Sequence, residues 1–266
     1  MYIWKKTVKI DKRLAAFKRL LEIMDELRAK CPWDKKQTYE SLRHLTIEET
    51  YELAEAIVLK DSDEIKNELG DLLLHIIFYS KIGEENKEFN ITDVIEGINE
   101  KLIQRHPHIF SDVVADTEDA VKSNWEKIKL QEGSKSVFTG VPASLPSIIK
   151  AYRIQDKARG VGFDWEETSQ VWDKVIEEMG ELKHDVDSGS GHEAIEGEFG
   201  DLLFALINYS RFIHVNPDTA LERTNNKFIQ RFNYLEEHAN KSKKSLHDMT
   251  LKEMDVFWDE AKKKYH

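Results

Sequence analysis

The chain repeats itself, and that constrains its fold more than any other feature. Ile47-Glu48-Glu49-Thr50-Tyr51-Glu52-Leu53 returns as Ile176-Glu177-Glu178-Met179-Gly180-Glu181-Leu182. Glu68-Leu69-Gly70-Asp71-Leu72-Leu73 returns as Glu198-Phe199-Gly200-Asp201-Leu202-Leu203. Tyr79-Ser80 and Tyr209-Ser210 follow, then Lys101-Leu102-Ile103-Gln104-Arg105 and Lys227-Phe228-Ile229-Gln230-Arg231. Trp125-Glu126 and Trp258-Asp259 close the two copies, and Trp33-Asp34 and Phe163-Asp164 loosely lead into them. Five blocks in one order imply a duplication, so whatever unit the first half forms, the second must form too. The join falls where Gly133, Gly140, Pro142 and Pro146 cluster with serines. We therefore expect an N-terminal domain over 1–130, a linker over 131–148, on which Val137, Phe138 and Val141 are apolar enough to dock, and a C-terminal domain over 149–266.

The periodicity is helical. Ile47, Tyr51, Ala54 and Val58 fall at steps of four, three and four, and Ile65, Leu69, Leu72, Leu73 and Ile76 repeat the pattern. Val175, Met179, Leu182 and Val186, then Phe199, Leu202, Leu203 and Leu206, do the same in the second copy. No stretch alternates as a strand would. The expected fold class is all-α, two tandem copies of a small antiparallel helical bundle. Asp61-Ser62-Asp63 and Asp187 to Gly191 read as short loops with helix caps.

Within each copy one helix carries Glu-Glu-x-x-Glu and the next Glu-x-x-Asp. Residues three apart share a helix face, so Glu49 pairs with Glu52, Glu68 with Asp71, Glu178 with Glu181 and Glu198 with Asp201. A short connection makes the two helices antiparallel neighbours whose acidic faces meet. Four converging carboxylates are costly without a cation, and an all-oxygen set suits magnesium first and manganese next. Zinc lacks a recurring Cys or His. A di-iron site would want Glu-x-x-His; His75 lies one turn beyond Asp71, but Ala205 stands at its counterpart. An isolated Glu-Glu-x-x-Glu is usually a solvated helix face. The pairing with Glu-x-x-Asp and its repetition set these apart. Gly70 and Gly200 cost a helix about 1 kcal/mol each against Ala, which close approach of a neighbouring helix would explain.

Lys101 with Arg105, and Lys227 with Arg231, make a basic stripe on a later helix that suits phosphate oxygens; alone, such pairs simply balance an acidic surface. Trp125 and Trp258 either fill a core, the commoner fate, or stack on a base. Lys174 sits one turn before Glu178 where the first copy has Leu45, which favours the second copy as phosphate binder. His106-Pro107-His108 reads as a turn at a helix end. There is no Gly-x-x-x-x-Gly-Lys-[Ser/Thr] loop and no Gly-x-Gly-x-x-Gly, so any phosphate must be held by metal ions and side chains.

The bulk numbers restrict the partners. A net charge of -11 argues against a nucleic-acid binder, and only bound cations reconcile it with a phosphate substrate. The single cysteine, Cys31, excludes an internal disulfide and points to a reducing, cytoplasmic setting. The Lys-rich start, residues 1–13, does not read as a signal peptide. The apolar run Leu72 to Tyr79, interrupted by His75, is far short of the roughly 20 residues that cross a membrane.

Over nearly its whole length, and in both copies of the carboxylate pattern, the chain resembles the MazG family of the all-α NTP pyrophosphatase superfamily. The resemblance implies magnesium-dependent hydrolysis of ATP and other (d)NTPs to (d)NMP and pyrophosphate, with broad base tolerance and attack at the α-phosphorus, in a homodimer. It implies that the second copy is the main catalytic domain, with Glu178, Glu181, Glu198 and Asp201 as metal ligands and Glu177 as an adjacent catalytic glutamate, Glu178 serving catalysis through the metal. Lys174, Lys227, Arg231 and Trp258 match nucleotide-contacting positions. The first copy keeps Glu49, Glu52, Glu68, Asp71, Lys101, Arg105 and Trp125 but has Leu45 in place of the lysine, which puts its own turnover in doubt. Two other readings remain open from sequence: a narrow house-cleaning nucleotide pyrophosphatase, and a non-catalytic nucleotide-sensing scaffold. An apolar stripe on a two-helix acidic unit also calls for a packing partner.

Overall fold

Capping side chains mark where each helix begins. Asp11 accepts from the Arg13 amide at 2.9 Å and opens α1, Lys12–Lys30. Thr38 and Ser41 cap each other's amides at the start of α2, Tyr39–Leu59. Asp61 accepts from the amides of Asp63 and Glu64 to open α3, Ser62–Asn86. Asn90 and Asp93 form the same reciprocal box for α4, Ile91–Arg105, and His106-Pro107 turns the chain into the short α5, Pro107–Phe110. Then come α6, Ser147–Gly160; α7, Thr168–Ser188; α8, His192–Phe212; α9, Pro217–Lys241; and α10, Leu251–Lys264, the last opened by a Thr250–Glu253 box. Each such cap satisfies amides that the helix leaves without partners. In this computed structural model the described residues are 11–111, 117, 121, 124–125, 128, 136–242 and 244–265, and no strand occurs among them. The lead segment 1–10 and part of the expected linker, 131–135, lie outside them.

The described residues fall into two compact units, divided between residues 112 and 113. In the first, α2 and α3 double back on one another across Lys60 and Asp61, and α1 closes one end of the pair. Met24, Leu42, Ile77, Phe78 and Ile82 form the core there, flanked by Phe17, Leu45, Leu74 and Tyr79. Arg28, itself nearly buried, ties the lead-in to this core. Its guanidinium donates to the carbonyls of Asp34 and Gln37 and to the Glu85 carboxylate. In the second unit α7 and α8 make the same hairpin, α6 packs on α8, and α9 pairs with α10. The lead-in Asp164 is held there by the buried Arg211, at 2.7 Å. The recurring serines explain themselves: Ser80 and Ser210 are buried and return their hydroxyl protons to carbonyls of their own helix, Ile76 at 2.8 Å and Ile207 at 2.7 Å. The end of the expected linker is docked on α6, where Lys157 donates to the Val137 carbonyl at 2.9 Å.

One expectation needs adjustment. Among the described residues no close approach occurs at Gly70 or Gly200: a Cβ added at either meets none of their atoms within 4 Å. Both lie on the outer side of their hairpins, beside exposed Leu69 and Phe199. The close approach occurs instead at Gly83, where a Cβ would lie 2.9 Å from the ring and the carbonyl of Phe89. Much of the helical apolar stripe is exposed, which leaves open the packing partner that the sequence calls for. Ile47, Tyr51, Leu69, Leu73, Ile76, Met179, Val186, Phe199, Leu203 and Leu206 are all exposed.

The two hairpins turn at the same kind of cap, though the second connection, Gly189 to Gly191, is one residue longer than Lys60-Asp61, and the shared cap yields a test. Lys60 and Gly189 occupy matching positions as left-handed C-caps, φ 58° and 69°. Glycine adopts that conformation freely, whereas a side chain costs about 1–2 kcal/mol, partly offset by the greater freedom of unfolded glycine. Lys60→Gly should stabilise the chain by up to about 1 kcal/mol, and Leu42→Ala, at a core position 1% exposed, should cost about 2–5 kcal/mol. Urea unfolding followed by circular dichroism reads both.

Candidate metal centre

The spacing on α2 and α3 delivers the acids to one place. One carboxylate oxygen from each of Glu49, Glu68 and Asp71 lies within 4.8 Å of the others, and Glu178, Glu198 and Asp201 repeat the arrangement on α7 and α8. Glu52 and Glu181, one turn along, are exposed and stand outside these groups of three. Their charges still reach the site. Burial and then the charge of Glu52 push the Glu68 carboxyl above its ordinary range, and burial followed by Glu181 does the same to Glu198. Glu49 is raised too, by burial and by Asp71. Glu68 is only 9% exposed. The Oε2 atoms of Glu68 and Glu198 are both buried without a hydrogen-bond partner among the described residues. Orphaned buried oxygens are costly. Three hard oxygen donors this close, two of them around an unsatisfied oxygen, fit a hard divalent cation.

Around this shared frame the copies differ. In the second, the Lys174 ammonium lies 2.7 Å from Glu178 Oε1 and 3.0 Å from Glu177 Oε1, and the two carboxylates raise its pKa. In the first, Leu45 joins the apolar core instead. The first copy buries His75 behind Asp71. Thr46 Oγ1 lies 2.6 Å from His75 Nδ1 and 2.6 Å from the Tyr79 hydroxyl, and burial depresses the imidazole pKa. Val175 and Ala205 replace Thr46 and His75 in the second copy. The sequence reading overlooked Thr46 as a partner of His75, and also Asp185. The latter lies four residues beyond Glu181, on the same face, and its charge helps raise Glu198. Its i, i+4 spacing from Glu181 was the available signal, and Ala56 at the matching place in the first copy hid it.

The basic and aromatic candidates lie on other helices. Lys101 is exposed and Arg105 half-buried on α4. Lys227 and Arg231 are half-buried on α9, and Arg231 donates from Nε and an Nη to the Tyr265 carbonyl at 3.0 and 2.8 Å. Trp258, half-buried on α10, packs against Phe228 with ring centroids 5.1 Å apart. Trp125 is half-buried in the segment beyond residue 112. Glu177 is exposed on α7 beside Lys174. The structure thus assembles the acids and Lys174 and places the remaining candidates on α4, on α9, on α10 and near residue 125.

A family model described as the MazG nucleotide pyrophosphohydrolase domain matches the chain twice, over 37–110 and 167–235. A Thermotoga maritima protein named nucleoside triphosphate pyrophosphohydrolase/pyrophosphatase MazG is 43% identical, across 92% of this chain and 95% of its own. The nucleoside triphosphate pyrophosphohydrolase of Escherichia coli K12 is 37% identical, across 92% and 96%. The uncharacterized protein YabN of Bacillus subtilis is 47% identical, and the matched region makes up 51% of that longer chain.

The raised carboxyls carry a pH signature. A group whose folded pKa lies above its unfolded value binds its proton more tightly when folded. Stability therefore falls as pH rises from the ordinary glutamate value of 4.5 through the raised value. Metal-free Glu68→Gln should melt above wild type near neutral pH, the difference closing as pH falls into the ordinary glutamate range. Calorimetry across that window checks it, and the variant's melting point should also respond less to added magnesium.

Proposed function

The chain belongs to the MazG nucleotide pyrophosphohydrolase family, and on that footing we propose that it hydrolyses ribo- and deoxyribonucleoside triphosphates, with broad base tolerance, to the monophosphate and pyrophosphate, using magnesium. The observation that carries this reading is the twice-built carboxylate cluster, each copy of which has one buried oxygen, Oε2 of Glu68 or of Glu198, without a hydrogen-bond partner among the described residues. A divalent ion held there supplies charge neutralisation for the polyphosphate and makes water more acidic.

The residues divide the remaining work. Glu178, Glu198 and Asp201 would hold the ion, with Glu181 at the rim; Glu49, Glu68, Asp71 and Glu52 would do so in the first copy. Glu177, exposed beside the cluster, takes the proton of the attacking water. The water oxygen bonds to the α-phosphorus as the bond from that phosphorus to the bridging oxygen breaks, and pyrophosphate leaves with the electron pair. Lys174 and Lys227 meet the phosphate charge, and Arg231 joins them by exchanging the Tyr265 carbonyl for phosphate oxygens. Trp258 offers the base a face to stack on. Lys101 and Arg105 fill the corresponding phosphate roles in the first copy. The second copy, which alone has the lysine, is the main catalytic one.

The exposed apolar faces of α2, α3, α7 and α8 support a homodimer, since contiguous apolar surface of this extent normally meets a partner. No helix among the described residues is long and apolar enough to cross a membrane, which agrees with a cytoplasmic enzyme.

Two measurements test the reading. Incubated with a panel of NTPs and dNTPs, the protein should release monophosphate and pyrophosphate only when magnesium is present. Glu178→Ala should lose more than about 100-fold in turnover and Glu49→Ala far less. Orthophosphate plus diphosphate as products would rule out attack at the α-phosphorus. In sedimentation velocity the chain should run at twice its own mass, and Phe199→Asp with Leu203→Asp should return it to the monomer.

A further inference from the structure

Among the described residues the second cluster contains its own cation and the first does not. Lys174 Nζ is 2.7 Å from Glu178 Oε1; Glu178 is 7% exposed, so the acid side of this contact is withdrawn from water, while the lysine side chain is half-buried. Glu178 is one of the three acids whose oxygens converge. Among the described residues no ion pair reaches Glu49, Glu68 or Asp71, and the position of Lys174 is filled by Leu45.

A divalent ion that takes the Glu178 oxygen must either displace the ammonium or sit beside it. Like charges at contact distance repel strongly where water is scarce. Lysine can yield, because its charge is compact and its four-carbon stem is flexible, and Glu177, 3.0 Å away, keeps it close when it does. We infer that Lys174 is a tethered competitor for the Glu178 carboxylate, so that free divalent metal binds the second cluster more weakly than the first. The inference rests on reading both clusters as metal sites.

Asp185 acts in the opposite direction without cancelling the effect. It adds a negative charge near Glu198 that the first copy lacks. But its Oδ1 accepts the Ser190 hydroxyl at 3.0 Å, and it stands two helical turns from Glu178 along α7. Lys174 touches the Glu178 carboxylate itself, and contact outweighs a charge at that range.

The experiment is a Mn2+ titration of the metal-free, full-length protein without nucleotide, with free ion followed by electron paramagnetic resonance. Two classes of site are expected. Glu68→Gln should remove the tighter one and Glu198→Gln the weaker. Lys174→Met should tighten the weaker class by about tenfold (~1.4 kcal/mol), whereas Lys174→Arg, which keeps the charge, should leave it weak. Equal affinities in wild type, a tighter second site, or a Lys174→Met curve that superimposes on wild type would each overturn the competitor role while leaving the metal reading intact. Absence of Mn2+ binding, or binding that survives Glu68→Gln and Glu198→Gln together, would overturn the metal reading and the inference with it.

Discussion

Three carboxylate oxygens lie within 4.8 Å of one another on facing helices, and burial first, then the neighbouring acids, resists the ionisation of Glu49, Glu68 and Glu198. Two things follow. The helices must be held in register by packing elsewhere, because the acids themselves push them apart. And the arrangement must be completed by positive charge, since partly buried acids of like sign cannot all ionise cheaply. The first unit meets the former need at the end of the hairpin. There Met24, Leu42, Ile77 and Phe78 close a core, and Arg28 ties the lead-in to Glu85. In the second unit Val171, Val175, Ala205 and Ile207 are buried along the hairpin, and Arg211 holds Asp164.

The same frame admits two electrostatic solutions. In the second copy Lys174 pairs with Glu178, one of the three converging acids. In the first the same position is apolar, and a histidine hydrogen-bonded to Thr46 is buried behind Asp71. Duplication supplied the acids twice, and the substitutions that followed changed what surrounds them rather than the acids.

The hairpins also leave their apolar outer faces open. Tyr51, Leu69, Met179 and Phe199 have the helical spacing of core residues yet stay exposed within the chain. A two-helix hairpin has only one inner face, and here acids occupy much of it, so apolar residues must find their partner outside the pair. Gly70 and Gly200, with open space where a side chain would stand, lie on that outer side.

Much of this was legible in the amino-acid order. Helical spacing, the two turns, the tandem copies and the convergence of Glu49 with Glu68 and Asp71 all follow from local periodicity and a short connection, because i, i+3 geometry and an antiparallel hairpin leave few alternatives. The repeat even located Lys174 as the chief difference. What only the tertiary structure decided depends on contacts between distant segments. Glu52 and Glu181 sit one turn outside the tight groups. Asp185 joins the field around Glu198, Thr46 meets His75, Arg231 reaches a carbonyl 34 residues away, and Gly83 rather than Gly70 marks the close approach. Periodicity assigns a residue to a face of its own helix. How deep along that face the neighbouring helix lies, and which distant group arrives there, is set by packing.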